Sequence, residues 1–424
     1  MSIAPVVEHL DEFAAFRSSP SDTNDYACLA GPVDERATCR YGPERTMISR
    51  VATALIVSLL TGLGAARAAE MTTALSGAES EAPIPVRVVV LVNFEVGADS
   101  GDAPGEFQLW RERGLGERPL DDCLPLPQST HAACLDRRAG LLVTYTGLTA
   151  DRAAASVMGM GMDPRFDFSD SYWIIGGIAG IDPNDGSLGS AAWGRYVING
   201  DWAHEIDARE MPEDWKTGYL PFMRDEPYAQ PVGDDHGKVF ALNPWLAEWA
   251  FRTTRDVALD DDPTIAKLRA EYGGFEAARR PPAVMRGDNL SASTFWHGGL
   301  FNEWANDWMA YWTDGDAEFV TSAVEDSGIL EAIRFLDAAG RADFDRVMLL
   351  RTASNYTMQP PGMTALESLT RETEGFGGMV PALEAHWRVG SAAASELIRG
   401  WSEYRDRIPT MPPPTVRPRV RRAQ

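Results

Sequence analysis

Hydrophobic positions along the chain fall into two alternating textures. VRVVVLVNF (86–94) is a continuous, mostly β-branched run, the pattern of a strand buried on both faces. AGLLVTYTG (139–147) and SYWIIGGIAGI (171–181) repeat it. GSAAWGRYVIN (189–199) and WAHEIDARE (202–210) read as strands beyond a glycine-rich turn, and PAVMRGDNL (282–290) as a short one. A last run, VMLL, opens at Val347 and turns polar as RTASN, ending at Asn355. Between these runs the spacing becomes helical. TADRAAASVMGM follows the second strand at once, with Thr149 as the predicted N-cap. The stretch up to about Glu276 reads as helical, NPWLAEWAFRTTRDVAL being its clearest amphipathic piece. LFNEWANDWMAYWT (300–313) carries tryptophans at 304, 308 and 312. A spacing of four puts them on one helical face and predicts core packing. DSGILEAIRFLDAAG (326–340) is a further helix, and more follow from 362 to about 403.

Strands apolar on both faces, alternating with helices, predict an α/β fold with helices on both sides of one sheet. No internal repeat or second composition regime appears, so one domain over 85–405 accounts for the pattern. Residues 69–84 read as a linker, and 406–424, ending PPPTVRPRVRRAQ, as a disordered tail. In such sheets ligands lie beyond the carboxyl ends of the strands.

The amino-terminal region has a different character. From Met47 the sequence MISRVATALIVSLLTGLGAARAAE has a basic residue, an apolar run from Val51 to Leu63, and small residues at Ala66 and Ala68. That is the three-part form of a secretory signal, with cleavage expected after Ala68. The apolar run falls short of the roughly 20 residues that a membrane span needs. Residues 1–46 show little periodicity and suit a start assigned upstream of the true one at Met47. The expectation is therefore an exported protein, periplasmic or secreted, with 47–68 removed. No second long apolar run follows, so the mature chain is expected to span no bilayer.

Two cysteines remain after the signal, Cys123 and Cys134, in the loop-like CLPLPQSTHAAC. In an exported chain they are expected to form a disulfide, the alternative being two reduced thiols. The six histidines are scattered with no metal-ligand spacing, so no metal or other cofactor is expected. A formal net charge of −23 disfavours nucleic acid and anionic lipid as partners. Self-association into a homo-oligomer is left open.

Four strand ends carry candidate chemistry. Glu95 lies just past the first strand, and Thr146 and Gly147 stand before a helix N-terminus. The turn GGIAGIDPNDGSLGS and the RTASN segment are the other two. Glu325 and Asp326 precede a further helix. Each has a plainer reading. Glu95 suits a solvated acid, Thr146 a turn, and Glu325 and Asp326 first-turn acids favoured by the helix dipole. RTASN suits a strand exit.

In their order along the chain these segments resemble the nucleoside phosphorylase and nucleosidase superfamily, and within it the purine nucleoside permease family. The resemblance runs from about Val86 to Trp401. It is carried by DPRFDFSDSYWIIGGIAGIDPNDGSLGSAAWGRYVING (163–200), HEIDAREMP (204–212), FWHG (295–298), VEDSGILEA (324–332), AGRADFDRVMLLRTASN (339–355) and RVGS (388–391). It implies a three-layer α/β sandwich around a mixed central sheet, with a purine nucleoside held at the strand ends. It implies that Glu325 binds the ribose hydroxyls, flanked by Val324 and Asp326. It places Asn355, beside Ser354, at purine N7, has Phe295 or Trp296 stack on the base, and sets Thr146 and Gly147 towards the ribose.

Cleavage of the C1′–N9 bond builds positive charge on ribose and negative charge on the base, which a carboxylate and an N7 donor would respectively stabilise. The superfamily commonly has aspartate where Asn355 stands; an amide donates without delivering a proton, which suits 6-oxopurines. NFEVGADSGDAPG (93–105) lacks the arginine by which phosphorolytic members hold phosphate. Glu95 then resembles the general base of hydrolytic members, with Arg152 or Arg195 left as phosphate contacts if inorganic phosphate is the co-substrate. The alternative implied by the family name is a nucleoside-binding component of transport, without catalysis.

Overall fold

A computed structural model describes residues 82–116, 118–229, 238–373 and 377–411. The upstream extension, the signal and nearly all of the linker lie outside the described residues. Eight strands carry the site: β1 (Val88–Val92), β2 (Leu141–Tyr145), β3 (Tyr172–Ile181), β4 (Ala191–Gly194), β5 (Tyr196–Asn199), β6 (Asp288–Ser291), β7 (Phe319–Ala323) and β8 (Val347–Tyr356). The helices that matter are α1 (Gln108–Arg113), α2 (Ala150–Gly161), α3 (Gly299–Trp312), α4 (Asp326–Ala338), α5 (Ala365–Thr373) and α6 (Met379–Arg399).

Side chains alternate across the sheet with period two and fill two separate cores. Val89, Leu91, Trp173, Ile175 and Leu349 face α2 and α4, packing on Val157, Met160, Ile329 and Ile333. Val88, Val90, Val92, Ile174, Met348 and Leu350 face the other way, against Trp110 of α1 and Val389, Ala393 and Leu397 of α6. The result is a three-layer α/β sandwich around a mixed β-sheet, as the run pattern predicts. The tryptophan face of α3 forms a further apolar cluster with Ile198, Leu290 and Phe319.

The ten-residue strand β3 organises the sheet. Along one edge it pairs with β8 in parallel throughout, Val347 opposite Trp173 and Tyr356 opposite Ile181. Along the other edge it changes partner. Tyr172–Ile175 pair with β1 in parallel, whereas Gly180 and Ile181 pair with β7 in antiparallel. The sheet therefore forks between β1 and β7, opposite Gly176–Ala179. A strand fork of this kind opens a crevice and leaves backbone groups to be satisfied by side chains.

Several sequence expectations change in detail. The 202–210 strand shrinks to Ala203–Glu205, in a hairpin with Tyr219–Pro221. Among the described residues of the stretch to Glu276, Pro244–Thr254 and Pro263–Ala270 are helical, each opened by a proline at its first turn. The 282–290 strand divides at Gly287, where a side chain would collide with Val320. Of the tail predicted to be disordered, 406–411 is described, and Ile408 and Met411 pack against the second core. Cys123 and Cys134 sit opposite each other on paired strands and are disulfide-bonded, as expected. No helix among the described residues is long and apolar enough to cross a membrane.

Candidate functional site

The fork is filled by charge. Glu106 lies just before α1, in the loop that leaves β1. Its Oε1 accepts from the backbone N–H of Ile178 (2.7 Å), a β3 group in the forked stretch. Its Oε2 accepts from Asn93 N (2.6 Å) and Asn93 Nδ2 (3.1 Å). Asn93 Nδ2 also donates to the Gly176 carbonyl (3.0 Å), closing the other side of the fork. Gly177 has φ +143°, and an added Cβ there would strike the Glu106 carboxyl group. A glycine is thus required where the acid meets the strand.

Opposite Glu106, β8 delivers Arg351, 1% exposed. Its Nε donates to Asp326 Oδ2 (3.1 Å) and its Nη2 donates to Asp326 Oδ1, a two-pronged pair. Nη2 also reaches Glu325 Oε2 (3.4 Å), and Nη1 donates to the Ile178 carbonyl (3.2 Å). Asp326 is completed by Asn289 Nδ2 at 2.7 Å. Ser291 Oγ accepts from the Ser327 backbone N–H (2.9 Å), which uses one free donor of the α4 N-terminus. Glu325 and Asp326 are therefore far more than first-turn acids. They are buried, at 3% and 0% exposure, and built into one cluster.

The electrostatics follow from that burial. Glu106 is pushed up to about 8 by desolvation, offset in part by Arg351 and reinforced by Glu325. Glu325 is pushed up to about 7 by desolvation, again offset by Arg351 and reinforced by Asp326. Burial opposes the charge on Arg351, but Asp326, Glu325 and Glu106 outweigh it and hold its pKa above the ordinary range. Behind the fork, Trp110 Nε1 donates to His386 Nδ1 (3.2 Å). That leaves the proton of the neutral ring on Nε2, and burial plus Arg351 pull this pKa down to about 3.

Thr146 and Gly147 stand at the end of β2, beside the same cluster. Thr146 Oγ1 donates weakly to Asn93 Oδ1 (3.4 Å). Gly147 has φ +87°, and a Cβ there would collide with the Arg152 side chain. Thr149 occupies the N-cap position of α2 with φ +78°, an unusual backbone for a β-branched residue, and makes no side-chain cap bond. Its backbone N–H instead serves Glu325. Gly328 lets α4 approach α2, since a Cβ would collide with the Ala150 carbonyl.

Asn355 lies on the same strand as Arg351, past a β-bulge between Ala353 and Asn355. The bulge re-aims the chain at the strand end. Ser354 Oγ donates to Asn355 Oδ1 (2.9 Å), and Asn355 Nδ2 donates to Glu372 Oε2 of α5 (3.3 Å). His297 Nδ1 is 3.6 Å from Glu372 Oε1, and its side chain is 1% exposed.

The structure brings Glu325 and Asp326 against Arg351, joins Thr146 and Gly147 to the cluster through Asn93, and places Ser354 and Asn355 further along β8. Val324 is half-buried beside them. It treats four other predicted residues differently. Glu95 is committed to the loop: its carboxylate accepts from the backbone N–H groups of Val96 (2.8 Å), Gly105, Phe107 (2.9 Å) and Gln108 (2.5 Å). With four donors on two oxygens, it folds the 95–108 loop and caps α1 instead of facing the cluster. The acid of this loop that reaches the fork is Glu106. Phe295 is 55% exposed. Trp296 packs on Phe301, Trp304 and Phe319 and lines a cavity of about 190 Å³ whose walls include neither Glu325 nor Asn355. The next residue, His297, lies beside Glu372, the partner of Asn355. Arg195 donates to the Asp316 carbonyl, away from the cluster.

Comparison with known proteins gives the wider setting. The sequence profile described as Purine nucleoside permease (NUP) matches residues 85–409. A purine nucleoside permease of Candida albicans is 28% identical over 263 residues, which is 61% of this chain and 64% of that protein. The match thus spans less than two thirds of that relative's length. A probable purine nucleoside permease of Schizosaccharomyces pombe is 26% identical over 268 residues, 61% of this chain and 76% of that protein. Among solved structures, a 5′-methylthioadenosine/S-adenosylhomocysteine nucleosidase from Neisseria meningitidis aligns over 73% of this chain and all of that one, with TM-score 0.41 and 15% identity. A futalosine hydrolase from Helicobacter pylori aligns over 73% of this chain and all of that one, with TM-score 0.43 and 12% identity. With the profile covering nearly all of the described fold, the chain belongs to the purine nucleoside permease family.

Proposed function

We propose that this protein is an exported purine nucleosidase, cleaving the C1′–N9 bond of purine nucleosides by hydrolysis. The observation that carries the reading is the buried cluster of Glu106, Glu325, Asp326 and Arg351 at the sheet fork. Catalytic acids and bases need pKa values near the working pH, and burial holds two carboxyl groups there. Glu106 in its ionised form, whose share grows as pH rises towards about 8, accepts a proton from a water whose oxygen bonds to C1′. The C1′–N9 bond breaks and its electron pair goes to the purine, which Asn355 stabilises from the far end of β8. Glu325 grips the ribose hydroxyls and favours the developing positive charge. The purine leaves with a proton taken up from solvent.

Water suits this cluster better than phosphate. The Arg351 guanidinium is already committed to Asp326, Glu325 and the Ile178 carbonyl, so it has little to offer a phosphate dianion. Arg152 favours the second reading, phosphorolysis: its side chain lies against Gly147 at the end of β2. The family name adds a third, nucleoside capture for transport, to which cleavage outside the membrane would also contribute by trapping the products. An assay of base release from inosine, guanosine and adenosine, with and without phosphate, separates the three. Base release without phosphate supports hydrolysis, dependence on phosphate supports the second reading, and tight binding without turnover supports the third.

A further inference from the structure

The amide of Asn355 is tied by its surroundings in a way that bears on which base the site accepts. Ser354 Oγ donates to Oδ1 at 2.9 Å. Nδ2 donates to Glu372 Oε2 at 3.3 Å and to the Tyr356 carbonyl at 3.4 Å. An amide nitrogen has two hydrogens, so in this arrangement none is left for a ligand. The Tyr356 carbonyl can only accept, and the serine hydroxyl can serve either amide atom. The group that decides is therefore the Glu372 carboxyl. Ionised, it only accepts and must hold Nδ2. Neutral, it is a weaker acceptor and gives up that Nδ2 hydrogen, while the Tyr356 carbonyl keeps the other.

The surroundings of Glu372 favour the neutral form. Burial pushes it up to about 8, with only the Asn355 amide opposing. The charged and titratable neighbours on the adjoining elements do not offset that burial. His297, 3.6 Å from Oε1, is itself pulled down to about 4 by burial and is neutral. The Tyr272 hydroxyl donates to the Met358 carbonyl at 2.9 Å. Arg371, next to it in α5, pairs with Glu271 at 2.9 Å.

We propose that Glu372 is a positioning residue that sets base specificity. Neutral, it releases an Asn355 N–H to the O6 and N7 edge of a 6-oxopurine; ionised, it ties that N–H down and leaves Oδ1 to face the base, which suits a 6-amino group. The inference rests on the proposed nucleoside site and deepens it.

The test compares the full-length protein with its Glu372→Gln and Glu372→Ala variants. The readout is the kcat/KM ratio of inosine to adenosine from about pH 6 to about pH 9.5, or the ratio of affinities by calorimetry if turnover is absent. In the wild type the ratio falls at least about tenfold as pH rises through the Glu372 transition, the weight of one charge-assisted hydrogen bond. Glu372→Gln, which stays neutral and can donate, keeps the 6-oxopurine preference and removes its pH dependence. Glu372→Ala loses the preference by about tenfold or more. Ratios and pH profiles equal to wild type in both variants overturn the proposal. So does an equal loss on every nucleoside, which marks a merely structural role. A wild type that neither cleaves nor binds any purine nucleoside overturns the nucleoside reading as well, whereas a wild type that discriminates alongside variants that discriminate equally overturns this inference alone.

Discussion

Replacing Glu106 with Gln tests whether the buried acid at the fork is kept for chemistry at the expense of stability. Between about pH 4.5 and pH 8 the unfolded chain's Glu106 is ionised while the folded one stays protonated, because its folded pKa is raised from 4.5 to about 8. The folded state then binds more protons, so stability is fully present below pH 4.5 and is lost as pH rises towards 8. A shift of that size corresponds to about 5 kcal/mol, at roughly 1.4 kcal/mol per unit. Glutamine cannot ionise and removes this slope. It also turns an NH₂ group towards the N–H of Ile178 or of Asn93, both of which now donate to Glu106. Losing one such buried bond costs about 1–3 kcal/mol at every pH. The variant is therefore less stable than wild type at pH 5, and the gap closes or reverses by pH 9. Urea unfolding at a series of pH values reads this directly, and base release on the same samples should fall by about 10²-fold or more. A constant stability difference from pH 5 to pH 9 would refute the electrostatic reasoning, and retained turnover would refute the assignment of Glu106 as the base.

Three further outcomes follow from the same geometry. Glu325→Gln should lower kcat by about 10²-fold or more, and unchanged turnover would mean that the ribose is held elsewhere. Gly177→Ala places a Cβ against the Glu106 carboxyl group and should abolish base release while the far-ultraviolet circular dichroism stays native; an active variant would show that the fork tolerates a displaced acid. Arg152→Gln should leave phosphate-free base release within about threefold of wild type, with initial-rate kinetics as the check, whereas a large loss confined to phosphate-containing assays would favour phosphorolysis.

How much of this was legible in the sequence differs between fold and site. The apolar runs of β1, β2, β3 and β8 and the helical spacing of α3 and α4 are local patterns, and they predicted the layers. The RTASN segment also marked the strand whose Arg351 enters the buried cluster. What the sequence could not display was the fork, because a change of pairing partner along β3 is a long-range property with no local signature. The base was therefore placed at Glu95, the first acid past β1. The loop consumes that acid with four backbone donors and brings in Glu106, eleven residues later, just before α1. One signal was available: an acid immediately ahead of a short helix, facing a GG pair in a neighbouring strand. The aromatic neighbour of Asn355 was missed by one residue, since alternation along FWH turns Trp296 into the α3 cluster and His297 towards Glu372. Arg351 opened the polar end of β8 in plain view. Its partners in β3 and α4 became visible only once the sheet was assembled.

The most direct measurement of the central claim is base release by the purified full-length protein from guanosine and inosine in phosphate-free buffer, followed by chromatography of base and sugar. The account predicts free purine and free ribose in equal amounts, at a rate that added phosphate does not raise and that Glu106→Gln abolishes. Release of ribose 1-phosphate only when phosphate is present, or nucleoside binding with no base released under either condition, would contradict it.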